Sequence, residues 1–445
     1  MGGKVMNISE LLSNPRRSII GLSIPMVITL LISMVNNVAD AMWVSGLGAD
    51  ALAAIGFVTP LFIIIIALGT GISAGVNSSV ARFIGAEKFE DAGNSSVHGI
   101  ILSIIISIIL PVIVILFLKP IIVLMGGASV IDLAYSYGFW IMIGSFTLIV
   151  SNIFSGIYRS ENMGTKATVP LAISAALNII LDPIFIYTFN LGVGGAAIAT
   201  ILANLIGLLI FIYWTYAKNV NHLNMRTYKR SKSIYKDIIS VGFPASMEQI
   251  LISVFAMIVN IILVMVAGTV SVAIFTTVWR LVNIGIMVPV GIGTGSISVF
   301  GALYGAKKFD TIKDTFKFTH IIGFIGCLIM GVILAIFSKQ LAILFGGAGL
   351  NTEISNMTIL LSWVVVFSSL SIISGSVLQS FGKGNLSLYF TFFRMIILTL
   401  IFMFLLISLK ALGVYYGIIL AFLVGGIIEI IFVYKYVNSL GKYLN

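Results

Sequence analysis

Two carboxylates, Asp40 and Asp182, each lie inside an apolar segment that is long enough to cross a membrane. An ionisable side chain in hydrocarbon is energetically costly, and such residues usually mark an ion or substrate pathway. The chain repeats itself with an offset of about 220 residues, and the equivalent positions near Asn260 and at Phe402 carry no acid. Because the repeat kept the scaffold without the acids, we infer that the two aspartates serve function rather than folding.

Amide and hydroxyl side chains accompany both acids. Asn36 precedes Asp40 by four residues and Asn178 precedes Asp182 by four, so each pair shares one helix face. Counting along the spans places both acids and Thr200 in the same half of the membrane. Hard oxygen ligands suit a hard cation such as Na⁺, and neighbouring carboxylates can instead share a proton. The sequence therefore predicts a cation-coupling site for H⁺ or Na⁺, and a possible sodium-ligand set, made of Asp40, Asn178, Asp182 and Thr200.

Three amides, Asn36, Asn152 and Asn204, are predicted to line a substrate cavity in the first half of the chain. The alternative is that they only hydrogen-bond helices together, as amides often do in membranes. Pro25 removes a hydrogen bond inside the first span and is predicted to act as a hinge. The alternative for Pro25 is a static kink, which membrane helices tolerate.

Glu248 and Arg280 are secondary candidates in the second half. Counting residues puts Glu248 near the middle of the seventh span and Arg280 at a comparable depth in the eighth. An ion pair between them would fix packing without any transport chemistry. The other interpretation is that Glu248 takes part in transport, as intramembrane acids often do.

Composition identifies an integral membrane protein. Only 9% of the 445 residues are charged, against about 25% in soluble proteins, and the mean hydropathy is +1.16. The net charge of +10 is explained by basic cytoplasmic loops, so no nucleic-acid partner is expected. The sequence contains no phosphate-binding loop with its Lys-Ser or Lys-Thr, no nucleophile motif and no metal-binding histidine pair. We therefore expect neither an enzyme nor a cofactor other than the coupling ion.

The apolar runs predict an all-α membrane protein with twelve transmembrane helices, arranged as two parallel six-helix repeats around a central cavity. The predicted domains are an N-terminal bundle over 1–217, a cytoplasmic linker over 218–236 and a C-terminal bundle over 237–445. The repeat is visible in GAEKFE at 85–90 and GAKKFD at 305–310, and in glycine pairs. Those glycines are Gly71 and Gly75 in the first half, and Gly291 and Gly295 in the second.

Basic residues predict the orientation. With the N-terminus inside, the cytoplasmic segments carry 20 Lys or Arg and the outer loops carry three, namely Lys119, Lys339 and Lys410. This asymmetry follows the positive-inside rule. It predicts a multi-pass protein of the cell membrane with both termini in the cytoplasm.

The chain resembles the multidrug and toxic compound extrusion (MATE) transporters, over essentially its full length. The resemblance rests on VNNVADAMWVSGLG after Pro25, VARFIGAEKFEDA, YRSENMGTKAT, LNIILDPIFIY and GFPASMEQ. Within that family it is similar to prokaryotic members of the branch named after the DNA-damage-inducible protein F. The resemblance implies export of small organic, often cationic and amphipathic, compounds in exchange for H⁺ or Na⁺, by a protein expected to act as a monomer in the lipid bilayer.

The same resemblance bears on the sites. Asp40, Asn178, Asp182 and Thr200 match the family's sodium-site pattern in the N-terminal bundle. Another branch places an essential acid in the tenth helix, as a partner for a glutamate in the seventh. Here Glu248 is present, but the tenth span contains no acid. A cation site in the C-terminal bundle is therefore not expected.

Three other functions compete with export. A flippase for lipids or lipid-linked oligosaccharides, from a related family, would need several cations in its cavity to hold pyrophosphate, whereas the first bundle is acidic. A membrane enzyme has no supporting motif, and nothing in the sequence resembles a channel selectivity filter. The sequence leaves open the substrate and the choice between H⁺ and Na⁺.

Overall fold

The structure, a computed structural model, describes residues 9–217, 228–345 and 349–441. Within these ranges, 12 helices are long and apolar enough to cross a membrane, which confirms the predicted fold class. A short helix, Ser338–Phe345, lies between the ninth and tenth. The spanning helices are α1 Pro15–Ser45, α2 Ala49–Gly85, α3 Phe89–Leu124, α4 Ala128–Ser160, α5 Gly164–Thr188, α6 Gly192–Ala217, α7 Lys232–Ala267, α8 Thr269–Gly305, α9 Phe309–Ile336, α10 Asn351–Ser380, α11 Gly384–Leu405 and α12 Ala411–Ser439.

Helices α2 and α8 are longer than their sequences predict. Each has 37 residues and is therefore about 55 Å long, well beyond the roughly 30 Å of the hydrocarbon core. The predicted ends, at 79 and 299, were placed where small and polar residues lower the hydropathy. The helices continue because almost every residue over 76–85 and 297–303 is buried against neighbouring helices.

Helix α7 begins at Lys232, five residues before its predicted start at 237. The Ser231 hydroxyl caps this helix by accepting a hydrogen bond from the Ile234 N–H at 3.4 Å. Residues 218–227 of the predicted linker lie outside the described residues. The domain bounds therefore stay a prediction.

Residues in the left-handed backbone region show the repeat at the level of geometry. A positive φ is uncommon for residues other than glycine and here ends helices at tight turns. Four such positions in the first half recur 220 residues later. The pairs are Gly48 with Gly268, Glu87 with Lys307, Asn162 with Gly382, and Asn190 with Lys410. The two halves therefore share their turns as well as their helices.

The fourth helix of each half is its packing centre. Helix α4 packs against α2, α3 and α6, and its counterpart α10 packs against α8, α9 and α12. Contact between the halves is made mainly by α1 on α8 and by α2 on α7 and α8. The packing of each half around its fourth helix thus sets the positions of the side chains that point into that half.

Glycines bring the two halves together at one end of the molecule. A methyl group on Gly85 would collide with the Ala302 carbonyl, and one on Gly305 would collide with the Arg82 carbonyl. These contacts lie where α1 begins and α12 ends, and we call this the closed end. Because only glycine allows such backbone approach, the seal depends on residues without side chains.

Polar contacts reinforce the closed end. The Arg82 guanidinium of α2 forms an ion pair with Asp237 of α7 at 2.8 Å. The Ser78 hydroxyl donates to the Gln379 carbonyl at 2.6 Å. A third bond, from the Ser298 hydroxyl to the Asn77 amide oxygen at 2.8 Å, joins α8 to α2.

The halves separate towards the opposite end, which we call the open end. On α1, Val27 packs against Gly291 of α8. Val38 and Met42 share the α1 face of Val27, yet 39% of Val38 and 68% of Met42 are exposed. The facing surfaces of α1 and α8 therefore separate towards this end, and we infer that they line a central cavity.

Candidate cation-coupling site

Helix α5 buries two of the predicted site residues. Asp182 is fully buried and Asn178 is 3% exposed. Pro183 follows Asp182, and the helix continues as a wide turn of π type over Ile184–Thr188. Proline cannot donate a backbone hydrogen bond, and single π turns are frequent at functional sites. The local sequence thus loosens the helix directly beside the buried acid.

Asn178 is the centre of a hydrogen-bond network. Its amide nitrogen donates to Asp182 Oδ1 at 2.6 Å and to Thr200 Oγ1 at 3.4 Å. Its amide oxygen accepts from Asn36 Nδ2 at 3.0 Å. Helices α1, α5 and α6 therefore meet through Asn178, which orients the Asp182 carboxylate.

The carboxyl groups of Asp40 and Asp182 lie within hydrogen-bonding reach of each other. Two carboxyl groups can bond in this way only if one carries a proton. Three buried oxygens of this cluster have no hydrogen-bond donor: Asn36 Oδ1, Asp40 Oδ1 and Asp182 Oδ2. Buried acceptors without partners are unfavourable, and either a proton or a hard cation would satisfy them. The cluster therefore fits either of the two predicted ions, H⁺ or Na⁺.

Asn36 belongs to this cluster, on the α1 face that it shares with Asp40. Its predicted role in a substrate cavity stays a prediction. Asn36 lies nine residues after Val27 on α1, which places it on the opposite side of the helix. Val27 faces α8, so Asn36 faces α5. The hydrophobic face of α1 thus points to the cavity and its polar face points into the first half.

Asn152 and Asn204 lie outside the network. The Asn152 side chain donates to the Leu148 carbonyl of its own helix at 3.0 Å. Asn204 lines a narrow crevice in the first half together with Thr200 and Ser145. The structure therefore does not bring these two amides to the aspartates.

Tyr137 on α4 is a site residue that sequence reasoning missed. Its side chain is 7% exposed and interacts electrostatically with both Asp40 and Asp182. An aromatic residue in an apolar helix carries no signal of its own. Only the packing of α4 against its neighbours brings Tyr137 near the two aspartates.

Pro25 lies within the stretch of α1 that contacts α8, between Ser23 near Gly295 and Val27 near Gly291. Helix α1 continues through the proline, and the Thr29 hydroxyl donates to the Pro25 carbonyl at 2.9 Å. Val27, two residues later, makes contact with Gly291. A hinge here would move the polar cluster relative to the second half, and this role of Pro25 stays a prediction.

The suggested ion pair between Glu248 and Arg280 is absent from the described residues. The carboxylate of Glu248 accepts from Gln379 Nε2 at 3.2 and 3.3 Å, and its cationic neighbour is Arg394 of α11. Arg280 is exposed. The reason is the helix face: Glu248 points into its own half, whereas Arg280 points towards the first half.

Arg394 anchors a buried charged cluster in the second half. It is 4% exposed and Glu429 is 1% exposed, and the two interact electrostatically, as Arg394 also does with Glu248. The guanidinium stacks over the Phe422 ring at 4.7 Å. A cation therefore lies near the acids of the second half, although among the described residues it forms no ion pair within 4 Å with them. No cation in the described part of the chain interacts electrostatically with Asp40 or Asp182 in the same way.

A family model, MatE, matches the chain in two segments, residues 25–184 and 244–405. The two segments begin about 220 residues apart, which agrees with the repeat in the backbone. Together they cover most of the twelve helices.

Curated relatives and solved structures agree with this match. The chain is 25% identical over 319 residues to the multidrug export protein MepA of Staphylococcus aureus (strain MSSA476), covering 71% of this chain and 70% of that protein. It is 31% identical to a structure described as the outward-facing conformation of a multidrug resistance MATE family transporter of the MOP superfamily, with a TM-score of 0.95 and coverage of 98% and 99%. It is also 31% identical, with a TM-score of 0.93 and 98% of each chain covered, to a MOP superfamily transporter from Pyrococcus furiosus Vc1 described as having a binding pocket of reverse polarity.

Proposed function

The chain belongs to the multidrug and toxic compound extrusion family, and on that premise we propose that it is an antiporter that exports amphipathic organic compounds in exchange for H⁺ or Na⁺. Its relatives are multidrug transporters, not enzymes. The observation that carries the coupling proposal is the set of three buried oxygens without donors around Asp40 and Asp182. A proton or Na⁺ is the partner that such a set lacks.

The arrangement of α1 supports a route from ion binding to movement. Asn36 and Asp40 attach its polar face to α5, while Val27 on the opposite face packs against α8. An ion at the aspartates changes how firmly α1 is held to the first half. Pro25 lies two residues before Val27, on the closed-end side of both contacts, and α1 would bend there. The ion can shift the equilibrium only by the difference in its affinity for the two states.

We also propose that the closed end is cytoplasmic, because the basic residues concentrate there. The open end then faces outward, and the bundles 1–217 and 237–445 move about the linker 218–236. Asp40 lies five residues before the end of α1 at Ser45, about 8 Å along the helix. External H⁺ or Na⁺ would reach it from the open end. We expect a monomer in the plasma membrane.

A flippase for pyrophosphate-linked lipids has weaker support. In the halves of α1, α2, α7 and α8 that lead to the open end, the charged residues are Asp40, Asp50 and Arg280. A single arginine does not make the multiply cationic wall that pyrophosphate requires.

Thiol labelling tests the orientation. Cys327 is buried and is the only cysteine, so Cys327→Ala gives a background without thiols. Lys339→Cys and Lys383→Cys place exposed thiols at the open and closed ends. In intact cells, an impermeant maleimide should label the first and spare the second. The reverse pattern would invert the proposed orientation.

Proteoliposomes test the transport function. Purified protein is reconstituted, a pH gradient or a sodium gradient is imposed separately, and movement of fluorescent amphipathic compounds of either charge is recorded. We expect at least one gradient to drive export, and Asp182→Asn to stop it. Absence of gradient-driven movement of every compound would refute the antiport proposal.

A further inference from the structure

Arg280 lies on the face of α8 that is turned towards the first half. Nearer the closed end of the same helix, Gly291 contacts Val27 and Gly305 contacts the Arg82 carbonyl, both in the first half. Arg280 precedes Gly291 by eleven residues, about three turns, so the two residues share one face. At the level of Arg280 the halves have separated. Its guanidinium therefore faces the central cavity and not lipid.

Arg280 is deep in the membrane and unpaired. It lies eleven residues after the start of α8 at Thr269, about 16 Å along the helix, which is roughly half the thickness of the hydrocarbon core. The side chain is exposed, and among the described residues it has no hydrogen bond or ion pair. Such a cation is tolerated in a water-filled cavity and typically marks a substrate pathway.

Apolar side chains lie on the surfaces facing Arg280, together with Ser253 one turn before Met257 on α7. Across the cavity, α1 presents Val38 and Met42. On α7, Met257 lies eleven residues after Ser246, which packs against Gly71 of the first half, so Met257 faces the cavity too and is 58% exposed. Asp40 lies thirteen residues after Val27 and is turned away from the cavity. No wall acid therefore neutralises the guanidinium.

We propose that Arg280 is the anion-binding group of the central cavity, and that the compounds it recognises carry a carboxylate, sulfonate or phosphate on an apolar body. This inference rests on the proposed export function and names its substrate class as amphipathic organic anions and zwitterions. A guanidinium holds such groups through two parallel hydrogen bonds. The apolar body lies against the Val38, Met42 and Met257 side chains. A compound with only positive charge meets repulsion at the same place.

Three matched probes test the proposal by binding alone. Each carries a dansyl group on the same alkyl chain, which ends in a carboxylate, its methyl ester or a trimethylammonium group. Fluorescence titrations use the purified full chain in neutral detergent. We expect wild type to bind the carboxylate at least about tenfold more tightly than the ester, the size of one charge-assisted contact. Arg280→Gln should remove this preference and Arg280→Lys should keep part of it.

Lys339→Gln is the matched control, since it removes the same net charge from an exposed residue outside the cavity. It should leave the ratio between the dissociation constants of the carboxylate and ester probes at the wild-type value. Because Arg280 has no partner among the described residues, its substitution should not impair folding, and Arg280→Lys provides a second reading if the glutamine variant cannot be purified. A preference for the trimethylammonium probe, or an unchanged ratio in both Arg280 variants, would overturn the proposal.

Transport of the same probes separates this inference from the function on which it rests. If carboxylate binding depends on Arg280 but no gradient moves any probe, the anion-binding role of Arg280 stands and the antiport function is refuted. Gradient-driven export combined with Arg280-independent binding would do the opposite. Displacement of the carboxylate probe by equimolar phosphatidylglycerol would assign the subsite to a lipid headgroup and overturn the substrate class.

Discussion

The acids of the two halves differ in what surrounds them. Glu248 shares its site with Gln379 and the fixed cation Arg394. Asp40 and Asp182 have amides, a hydroxyl and each other. Acids near a fixed positive charge depend less on a mobile ion than two adjacent carboxylates without one, which require a proton or cation. At the scale of residues, the aspartate pair is therefore the better coupling site.

We expect Asp40→Asn and Asp182→Asn each to reduce gradient-driven export at least about tenfold, the effect of losing one differential interaction of roughly 1.4 kcal/mol. The amide keeps the shape of the side chain but removes its charge. Asp50→Asn is the control, since Asp50 is exposed at the start of α2. Initial rates in proteoliposomes give the comparison. Export at the wild-type rate by either variant would exclude that aspartate from coupling.

Thr200 provides a way to tell sodium from protons. Its hydroxyl accepts from Asn178 and donates to the Ala196 carbonyl, so it can supply a sodium ligand but no titrating group. We expect Thr200→Ala to weaken the sodium dependence of export several-fold and to change the proton dependence much less. The matched control is Thr59→Ala, which removes an exposed hydroxyl on α2. An equal loss of both dependences would mean that Thr200 holds structure only.

The acids could be predicted from the sequence, but their partners could not. A carboxylate in an apolar run is visible to inspection, so Asp40 and Asp182 stood out. Helical spacing fixes which residues share a face but not which helix that face meets. For this reason Tyr137 was missed, and Glu248 was suggested to pair with Arg280 in place of Arg394.

At the scale of elements, the helix ends show a similar limit to what the sequence can predict. The seal between α2 and α8 lies in residues 76–85 and 297–305, beyond or at the edge of the predicted spans. Hydropathy falls there because the residues are small, and small residues are what close helix packing in membranes requires. The repeated glycines could be read from the sequence, whereas their function as an interface depends on where the other half lies.

We expect Gly85→Val to open the closed end, because its side chain would collide with the Ala302 carbonyl. Gly21→Val is the control, since nothing lies within 4 Å of a methyl group at that position. The reporter is Ala81→Cys in the Cys327→Ala background, a buried position beside Gly301. Its maleimide labelling rate should rise at least about tenfold in Gly85→Val, given typical costs of overpacking. An unchanged rate would show that the seal does not depend on glycine.

The ion pair between Arg82 and Asp237 should matter less to the whole molecule than the glycine contacts. Its side chains are 19% and 29% exposed, and partly exposed pairs contribute about 0–1 kcal/mol. We expect Arg82→Ala to raise labelling of Ala81→Cys by no more than about fivefold. Lys313→Ala, which breaks a pair within the second half, should have no effect. A larger rise for Arg82→Ala than for Gly85→Val would reverse this ranking.

The architecture could be predicted because twelve apolar runs, a 220-residue repeat and an asymmetric charge distribution can all be read directly from the sequence. The conformational state, meaning which end of the molecule is closed, could not be predicted. One sequence specifies both an arrangement closed at one end and its alternative, and the two differ by only a few kcal/mol. Nothing in Gly75 or Ser298 alone indicates which end is sealed; only their contacts with Ile238 and Asn77 do.

Helix α1 stands between the coupling ion and the cargo. The ion cluster is on one side of it, at Asn36 and Asp40, and the cavity wall is on the other, at Val38 and Met42. The two ligands therefore need not compete for the same atoms, and a ternary complex of protein, ion and cargo is sterically allowed. Their mutual antagonism should then be finite and reciprocal. In equilibrium titrations, saturating sodium should raise the apparent dissociation constant of the cargo to a plateau, where direct competition would raise it without limit.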